Sequence, residues 1–256
     1  FMLKAYLSHL IRSKNQYAIH SPFVFDFYMS VVRTKERNPN ENEIEKRRKE
    51  LLKNTEILSI TDLGAGSFFS KSNKRSIRSI AKHSLKSTRW ASFLSKIIAH
   101  YRYETILDLG TSFGTTTAYF AQQTKGIVHT FEGCPAIAQV AEQTFQKLAL
   151  SNVKQYIGDI QTTLPSFFAT HKQVDFVFFD ANHQYEPTLA YFHQCLPYIH
   201  ENSCFVFDDI HWSKEMEKAW ETIQSHPDVT VSLDFYQVGV VFFRKGQAKE
   251  HFKLKY

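Results

Sequence analysis

The stretch from residue 105 to residue 132 constrains the fold of this chain more than any other part of the sequence. It opens with an apolar run that ends at Gly110, continues through a second glycine, Gly114, where a helical pattern starts, and closes with another apolar run that ends at Glu132. A short apolar run that ends in glycine is typical of a buried parallel strand. A glycine turn before a helix lets a ligand approach backbone N–H groups, and a carboxylate at the tip of the next strand can accept hydrogen bonds from a ribose diol. The stretch therefore predicts a nucleoside-binding βαβ unit.

Strand and helix patterns alternate from residue 105 to the end of the chain. They predict strands at 105–109, 127–131, 153–157, 174–180, 203–208, 229–234 and 238–243, and helices at 114–123, 135–149, 162–170, 185–199 and 213–225. Such alternation predicts an α/β fold with a Rossmann-like, doubly wound sheet of seven strands. The last two strands follow each other without a helix between them, which predicts a closing antiparallel hairpin.

The beginning of the chain carries a different pattern. We expect residues 1–84 to form a helical N-terminal segment and residues 85–256 to form the α/β domain. Within the segment, the run from Asp62 to Ser67 resembles a nucleotide-binding loop. The residues that follow it are polar and basic, however, and no strand with a terminal acid comes at the right distance. We therefore interpret residues 60–75 as a loop that could cover an active site.

Charge is distributed unevenly along the chain. Residues 1–100 carry 19 Lys and Arg against 8 Asp and Glu, a net +11, whereas residues 101–256 carry 12 against 17, a net −5. Such asymmetry can mark a surface for nucleic acid or another acidic partner. A solvated helical face is the more common explanation of a basic run, and we favour it here.

The amino-acid composition favours a globular protein with its own core over a disordered or membrane-spanning one. A hydrophobic content of 43% supports a sizeable core, and no apolar run is long enough to predict a membrane-spanning helix. The three cysteines, Cys134, Cys195 and Cys204, show neither metal-site spacing nor a disulfide framework, so we expect a reduced, cytoplasmic protein. The N-terminus shows no signal-peptide pattern. The sequence leaves a homodimer open.

Acidic residues stand at or just beyond the carboxyl ends of the first five strands of the alternating region. They are Asp108, Glu132, Asp159, Asp180 and the pair Asp208 and Asp209. Any one of them alone is more often a helix cap or a solvated loop residue. Because ligands of open α/β sheets bind at the carboxyl ends of the strands, their joint occurrence predicts one binding crevice.

The order of these motifs resembles a known enzyme family. Asp-x-Gly-x-x-x-Gly, a strand-end Glu, Gly-Asp, Asp-x-x-His and Asp-Asp follow one another as in class I S-adenosylmethionine-dependent methyltransferases. Residues 85–256 more narrowly resemble the O-methyltransferase branch that includes the catechol and caffeoyl-coenzyme A enzymes. The resemblance implies transfer of a methyl group from S-adenosylmethionine to a hydroxyl of a small-molecule acceptor.

The resemblance also implies which residues bind the cofactor. Asp108 and the turn from Gly110 to Gly114 would approach the methionine part, Glu132 the ribose hydroxyls, and Asp159 the adenine amino group. The full implied set is Asp108, Gly110, Thr111, Ser112, Gly114, Glu132, Gly133, Asp159 and Asp180.

The metal-dependent members of that branch hold magnesium with an Asp after the fourth strand and an Asp-Asn pair after the fifth. Asp180, Asp208 and Asp209 occupy those places, and three oxygen ligands suit a hard octahedral ion. The second Asp replaces the Asn of the family and adds negative charge. Where the family often has Lys, this chain has His183. A histidine can accept a proton at neutral pH, so we expect His183, with Asp180, to act as general base. The alternative is a loop histidine that is hydrogen-bonded to Asp180 or Glu186.

Other functions remain open at this point. Gly110 to Gly114 also matches Gly-x-Ser-x-Gly, the nucleophile elbow of serine hydrolases, with Ser112 as nucleophile. The basic N-terminal region would suit an RNA-directed methyltransferase, although the Asn/Asp-Pro-Pro-aromatic motif is absent. A non-catalytic protein that kept the fold would bind the cofactor without turnover. A nicotinamide dehydrogenase is disfavoured because Gly-x-Gly-x-x-Gly is absent.

Overall fold

A computed structural model describes residues 9, 13–35, 38, 40–61 and 73–256. The chain divides into two compact units. We call residues 35–170 the continuous unit, and residues 1–34 together with 171–256 the split unit. The run from Asp62 to Ser67 lies outside the described residues, so its role stays a prediction.

Helices and strands alternate through most of the described chain. The helices are α1 (Pro22–Phe27), α2 (Glu41–Leu51), α3 (Ile77–Ser84), α4 (Thr88–Tyr101), α5 (Thr115–Ala121), α6 (Pro135–Lys147), α7 (Ile160–Phe168), α8 (Tyr185–Cys195) and α9 (Lys214–Ser225). The strands are β1 (Ile57–Ser59), β2 (Lys74–Ser76), β3 (Thr105–Leu109), β4 (Ile127–Glu132), β5 (Val153–Ile157), β6 (Phe176–Phe179), β7 (Cys204–Asp208), β8 (Val231–Asp234), β9 (Val238–Phe242) and β10 (Glu250–Lys253). A π-helical turn, Tyr28–Val32, follows α1.

The predicted α/β fold class is confirmed. All seven strands predicted from the sequence are present, and β9 pairs antiparallel with both β7 and β8, which confirms the closing hairpin. Three strands were not predicted. Strand β10 adds a parallel neighbour to β8, and β1 pairs with β2 within the segment that we expected to be helical. Strand β2 begins inside the stretch that we interpreted as a loop. Strands β2 and β10 are polar, Lys-Arg-Ser and Glu-His-Phe-Lys, so partner strands rather than an apolar pattern define them.

The continuous unit contains three parallel strands in the order β3-β4-β5. Ile106, Leu107 and Leu109 of β3 are fully buried, as expected of a parallel strand covered on both faces. A hydrophobic cluster contains side chains from before and after β3 and includes Leu51, Leu58, Ile77, Phe113 and Val140. The segment that precedes β3 therefore shares a core with the turn that follows it.

The highly charged helix α2 is attached to the same unit by polar contacts. The Nε of Arg47 donates to the hydroxyl of Thr144 over 3.1 Å, and Arg47 is 7% exposed. The hydroxyl of Tyr119 donates to Glu45 over 3.0 Å. Part of the positive run in this helix is thus buried against its own unit.

In the described part of the split unit, five strands follow the order β10-β8-β9-β7-β6. Strands β6 and β7 are parallel, and β9 lies antiparallel between β7 and β8. The buried ring of Phe27 lies 5.7 Å from Phe242 and 6.4 Å from Phe235, centroid to centroid. Residues from the N-terminus of the chain thus pack on the strands near its C-terminus.

A search of the described helices found none with the length and apolar character required to cross a bilayer. The division into residues 1–84 and 85–256 stays a prediction.

Candidate active site

The glycine turn, residues 110–114 between β3 and α5, has a backbone that few residues adopt readily. The φ angles are 118° at Gly110, 49° at Ser112 and 76° at Gly114. The N–H groups of Gly110 and Thr111 donate to the carbonyl oxygen of Phe131 over 3.1 and 3.0 Å. These bonds fix the turn to the carboxyl end of β4.

Packing explains why position 114 is glycine. A Cβ atom there would lie 2.5 Å from Cε1 of Phe145, and the left-handed φ adds strain for any other residue. We had expected this glycine to admit a ligand. The contact with Phe145 requires it whether or not a ligand is bound.

Glu132 at the end of β4 connects the turn to the start of α6. Its Oε2 accepts the N–H of Ser112 over 3.0 Å, and its Oε1 accepts the N–H of Cys134 over 2.9 Å. Burial raises the pKa of the Glu132 carboxyl, and hydrogen bonds from the N–H groups of Cys134, Ser112 and Gly133 act in the opposite direction. A carboxylate has about four acceptor positions, so those left over can receive the hydroxyls of a ribose.

Asp108 lies under the turn and is 1% exposed. Its Oδ2 accepts the hydroxyls of Thr117 over 2.6 Å and Thr130 over 3.0 Å. Its Oδ1 is buried and has no hydrogen-bond partner among the described residues. Burial raises the pKa of Asp108 to about 6. A buried carboxylate oxygen that lacks a donor fits a cationic N–H group of a ligand, such as the ammonium of a methionine.

The hydroxyls of the turn pair with other hydroxyls. Ser112 Oγ lies 2.7 Å from Ser84 Oγ in α3, and Thr111 Oγ1 lies 2.6 Å from Thr130 Oγ1. A hydrolytic serine requires a base within hydrogen-bond reach. The hydroxyl of Ser112 instead pairs with a second serine, Ser84. The backbone N–H of Ser112 donates to Glu132.

Asp159, the residue predicted to bind the adenine amino group, lies just beyond the carboxyl end of β5. Asp159 is exposed and caps α7, where its side chain accepts the N–H of Gln161 over 2.9 Å. Ile157, two residues earlier, is 53% exposed although it is apolar. Ile157 was not among the predicted site residues, although its place at the end of a strand could have indicated it. An exposed apolar side chain beside Asp159 can pack against the face of a base.

A second group of predicted residues lies in the split unit. Ligand atoms of Asp180, His183 and Asp208, which we call the carboxylate–histidine group, all lie within 4.8 Å of one another. His183 Nε2 lies 3.6 Å from Asp180 Oδ1, and Asp208 is 1% exposed. Two carboxylates and an imidazole form a donor set that can hold a divalent cation.

Unusual backbone places His183 beside Asp180. Asn182 and His183 have φ angles of 65° and 39°, and the N–H of His183 donates to the carbonyl of Ala181 over 2.9 Å. The side chain of Asn182 donates to the hydroxyl of Tyr191 over 2.6 Å. A left-handed non-glycine residue costs roughly 1–2 kcal/mol, and such residues cluster at functional sites.

Asp209, the third predicted metal ligand, is not a member of the group that includes Asp180, His183 and Asp208. Its φ is 52°, and its carbonyl accepts the N–H of Trp212 over 2.9 Å. Asp180, Asp208 and Asp209 were the predicted ligands, whereas the structure brings His183 together with Asp180 and Asp208.

Comparison with protein families gives a match to part of the chain. Residues 107–210 match the family model described as a methyltransferase domain. The match begins in β3 and ends just after β7, so it contains the glycine turn, Glu132 and the carboxylate–histidine group. No curated protein sequence matches the chain.

Solved structures with the same fold extend over most of the chain. A protein described as an O-methyltransferase from Klebsiella pneumoniae is 15% identical with a TM-score of 0.61, over 86% of this chain and 96% of that one. The O-methyltransferase TomG from Streptomyces achromogenes, solved with S-adenosylmethionine, is 17% identical with a TM-score of 0.58, over 86% and 96%. A protein described as a caffeoyl-CoA O-methyltransferase from Staphylococcus aureus is 15% identical with a TM-score of 0.55, over 62% and 85%.

Identities this low show the fold alone. Together with the family match over residues 107–210, they support the predicted resemblance to class I S-adenosylmethionine-dependent methyltransferases.

Proposed function

We propose that this methyltransferase-domain protein transfers a methyl group from S-adenosylmethionine to a hydroxyl of a small-molecule acceptor. The observation that carries the proposal is the carboxylate of Glu132, which is held by backbone N–H groups at the end of β4 beside the glycine turn. A carboxylate in this position of a doubly wound sheet suits the ribose of a nucleoside. The O-methyltransferases that share the fold make S-adenosylmethionine the natural nucleoside to test.

Each part of the cofactor has a matching residue in the continuous unit. Glu132 would accept hydrogen bonds from the ribose hydroxyls, and Asp159 would bind the adenine amino group with Ile157 against the ring. The unpartnered Oδ1 of Asp108 would receive the ammonium of the methionine part. The other proposed residues would contact the cofactor through their backbone atoms: Gly110, Thr111, Ser112, Gly114 and Gly133. The proposed set also includes Asp180.

The chemistry requires a base for the acceptor. The acceptor oxygen attacks the methyl carbon of the sulfonium, an O–CH₃ bond forms as the S–CH₃ bond breaks, and S-adenosylhomocysteine leaves. His183 Nε2 would take the proton of the hydroxyl, and Asp180, 3.6 Å away, would stabilise the imidazolium that results.

A magnesium ion fits the carboxylates of this region. Asp180 and Asp208, with Asp209 as the third proposed ligand, would hold it through oxygen, the donor that magnesium prefers. When bound, such an ion lowers the pKa of the acceptor hydroxyl and orients it. The nitrogen of His183 is a poorer ligand for magnesium than oxygen, which suits it better to the role of base.

Several contacts bear on the alternative functions, an RNA-directed methyltransferase and a serine hydrolase, and on the cellular setting of the protein. Arg47 in the basic region is buried against Thr144, which reduces the positive surface that RNA-directed methylation would use. The hydroxyl of Ser112 faces Ser84 rather than a base, which disfavours a hydrolase. All three cysteines are free and buried, which suits a reducing, cytoplasmic setting.

The first test is a calorimetric titration of S-adenosylhomocysteine into the protein, once with magnesium and once with EDTA. We expect micromolar binding in both. The variant Glu132→Gln should weaken it about 10-fold or more, because a charged acceptor contributes roughly 1.5–3 kcal/mol. Glu142→Gln, an exposed change on α6, is the matched control and should bind normally.

Turnover is then measured as S-adenosylhomocysteine release with catechols, simple phenols and acyl-coenzyme A acceptors. Binding without turnover on any acceptor would point to a non-catalytic protein. No binding in either buffer would overturn the proposal, and labelling of Ser112 by a fluorophosphonate would then favour the hydrolase.

A further inference from the structure

A second group of metal-binding side chains lies in the split unit. Ligand atoms of His9, His211 and Asp234 all lie within 4.8 Å of one another, and we call these residues the histidine-pair site. His9 is 5% exposed and Asp234 is 2% exposed. His9 comes from the N-terminal region, His211 follows β7, and Asp234 ends β8, so three distant parts of the sequence converge here.

The two imidazole rings direct one nitrogen each at the same carboxylate. His211 Nε2 lies 3.0 Å from Asp234 Oδ2, and His9 Nδ1 lies 3.3 Å from Asp234 Oδ1. The His9 Nδ1 atom is buried and has no hydrogen-bond partner among the described residues. A buried, unpartnered nitrogen that points at a carboxylate is the arrangement that a shared cation would satisfy.

The outer nitrogens of both rings already have acceptors. His211 Nδ1 lies 3.0 Å from Glu217 Oε1, and His9 Nε2 lies 3.4 Å from the carbonyl oxygen of Leu254. If these outer nitrogens carry the protons, both inner nitrogens present lone pairs to Asp234. Histidines that bind metals usually donate their second N–H to a carboxylate or a carbonyl in this way. The carboxylate of Asp234 is itself oriented by the N–H of Tyr236 at 2.8 Å.

We propose that His9, His211 and Asp234 bind a zinc ion. Two imidazole nitrogens and one carboxylate oxygen are zinc ligands, and tetrahedral bonds of about 2.0–2.2 Å separate neighbouring ligand atoms by roughly 3.3–3.5 Å. The distance of 3.3 Å between His9 Nδ1 and Asp234 Oδ1 matches this edge. The fourth position is left to water. Because His9 and Asp234 are almost fully buried, a zinc ion at this site would tie residue 9 to the end of β8.

Lys253 is the cation already present beside the site. Its Nζ lies 3.6 Å from Asp234 Oδ2, where it competes with a metal for the same carboxylate. Removal of that charge should therefore strengthen zinc binding. The alternative to a metal is a proton on Nε2 of His211, which would donate a hydrogen bond to Asp234.

The test uses the full chain, stripped with EDTA and then held in excess magnesium to occupy any oxygen site. Titration with Co²⁺ should produce the visible absorption of a tetrahedral cobalt centre, and Zn²⁺ should bind with one-to-one stoichiometry and displace it. No cobalt band and no heat with zinc would overturn the proposal and leave a protonated His211 in its place.

Variants identify the ligands. His9→Ala should abolish the cobalt band, and Glu217→Gln should weaken zinc affinity about 10- to 100-fold, because it removes only the partner of a ligand. Lys253→Ala should tighten binding. The matched controls are His20→Ala, an exposed histidine, and Glu215→Gln, an exposed acid on the same helix as Glu217.

The carboxylate–histidine group is the competing site for the same ion. Asp180→Asn should leave zinc binding intact. If Asp180→Asn removed the ion and His9→Ala did not, zinc would belong to the other group and the proposal would fail. Circular dichroism of each variant shows whether a lost signal reflects a lost ligand or an unfolded chain.

Discussion

The glycine turn of the continuous unit and the carboxylate–histidine group of the split unit hold their acids in opposite ways. In the first, both carboxylate oxygens of Glu132 accept backbone N–H groups, and Asp108 accepts two threonine hydroxyls. In the second, Asp180 and Asp208 lie near each other and near His183. Backbone donors fix a carboxylate for binding, whereas clustered titratable groups favour a cation or a moving proton. The difference separates residues that should control affinity from residues that should control rate.

The sharpest test of this separation is His183→Ala. We expect turnover to fall about 10²- to 10⁴-fold, because a positioned base contributes that much, while affinity for S-adenosylhomocysteine stays the same. Steady-state kinetics and calorimetry measure the two quantities separately. The control is His193→Ala, which changes an exposed histidine on α8. Full turnover in His183→Ala with the natural acceptor would show that His183 is not the general base.

Asp108→Asn tests the buried carboxylate of the other region. The pKa of Asp108 is raised from 3.8 to about 6 in the folded protein. Between these values the folded state binds more protons than the unfolded state, so stability from this group is present at low pH and is lost as pH rises to about 6. Above that pH, the neutral variant should be more stable than the wild type by up to about 3 kcal/mol, yet bind S-adenosylhomocysteine more weakly.

A pH series of urea unfolding measures the effect of Asp108→Asn. The two proteins should converge in stability below about pH 4, because both side chains are then neutral. An advantage of the same size at every pH would show that titration of Asp108 is not its cause. Asp228→Asn, at an exposed position, should show no comparable shift.

The smallest expected effect concerns the turn backbone. Gly114→Ala and Gly246→Ala both place alanine at a left-handed φ, 76° and 72°, which costs roughly 1–2 kcal/mol. Only position 114 also brings a Cβ within 2.5 Å of Phe145, while nothing lies within 4 Å at position 246. The difference between the two variants in unfolding free energy should therefore be about 1–3 kcal/mol from overpacking.

A second substitution checks the origin of that difference. Phe145→Leu in the Gly114→Ala background should recover part of the loss, and a double-mutant cycle isolates the coupling. If Gly114→Ala were no worse than Gly246→Ala, contact with Phe145 would not be the reason for glycine in the turn.

The sequence was most informative where local patterns and burial agree. The apolar run of β3 and the glycines around the turn predicted a strand, turn and helix that the structure confirms. Strand β10 was missed because Glu-His-Phe-Lys has no apolar alternation and becomes a strand by pairing with β8. The association of His183 with Asp180 and Asp208 was only partly predicted, since two left-handed residues in the loop determine where His183 points.

The sequence by itself therefore determined the α/β class, the order of the strands along the chain and the acids at their ends. These properties follow from hydrophobic period and glycine placement, which act over a few residues. Only the tertiary structure decided that Phe145 fills the space behind Gly114, that Asp108 keeps one oxygen without a donor, and that His9 meets His211 at Asp234. Such contacts join residues far apart in sequence, and their energies depend on burial and geometry that no local pattern encodes.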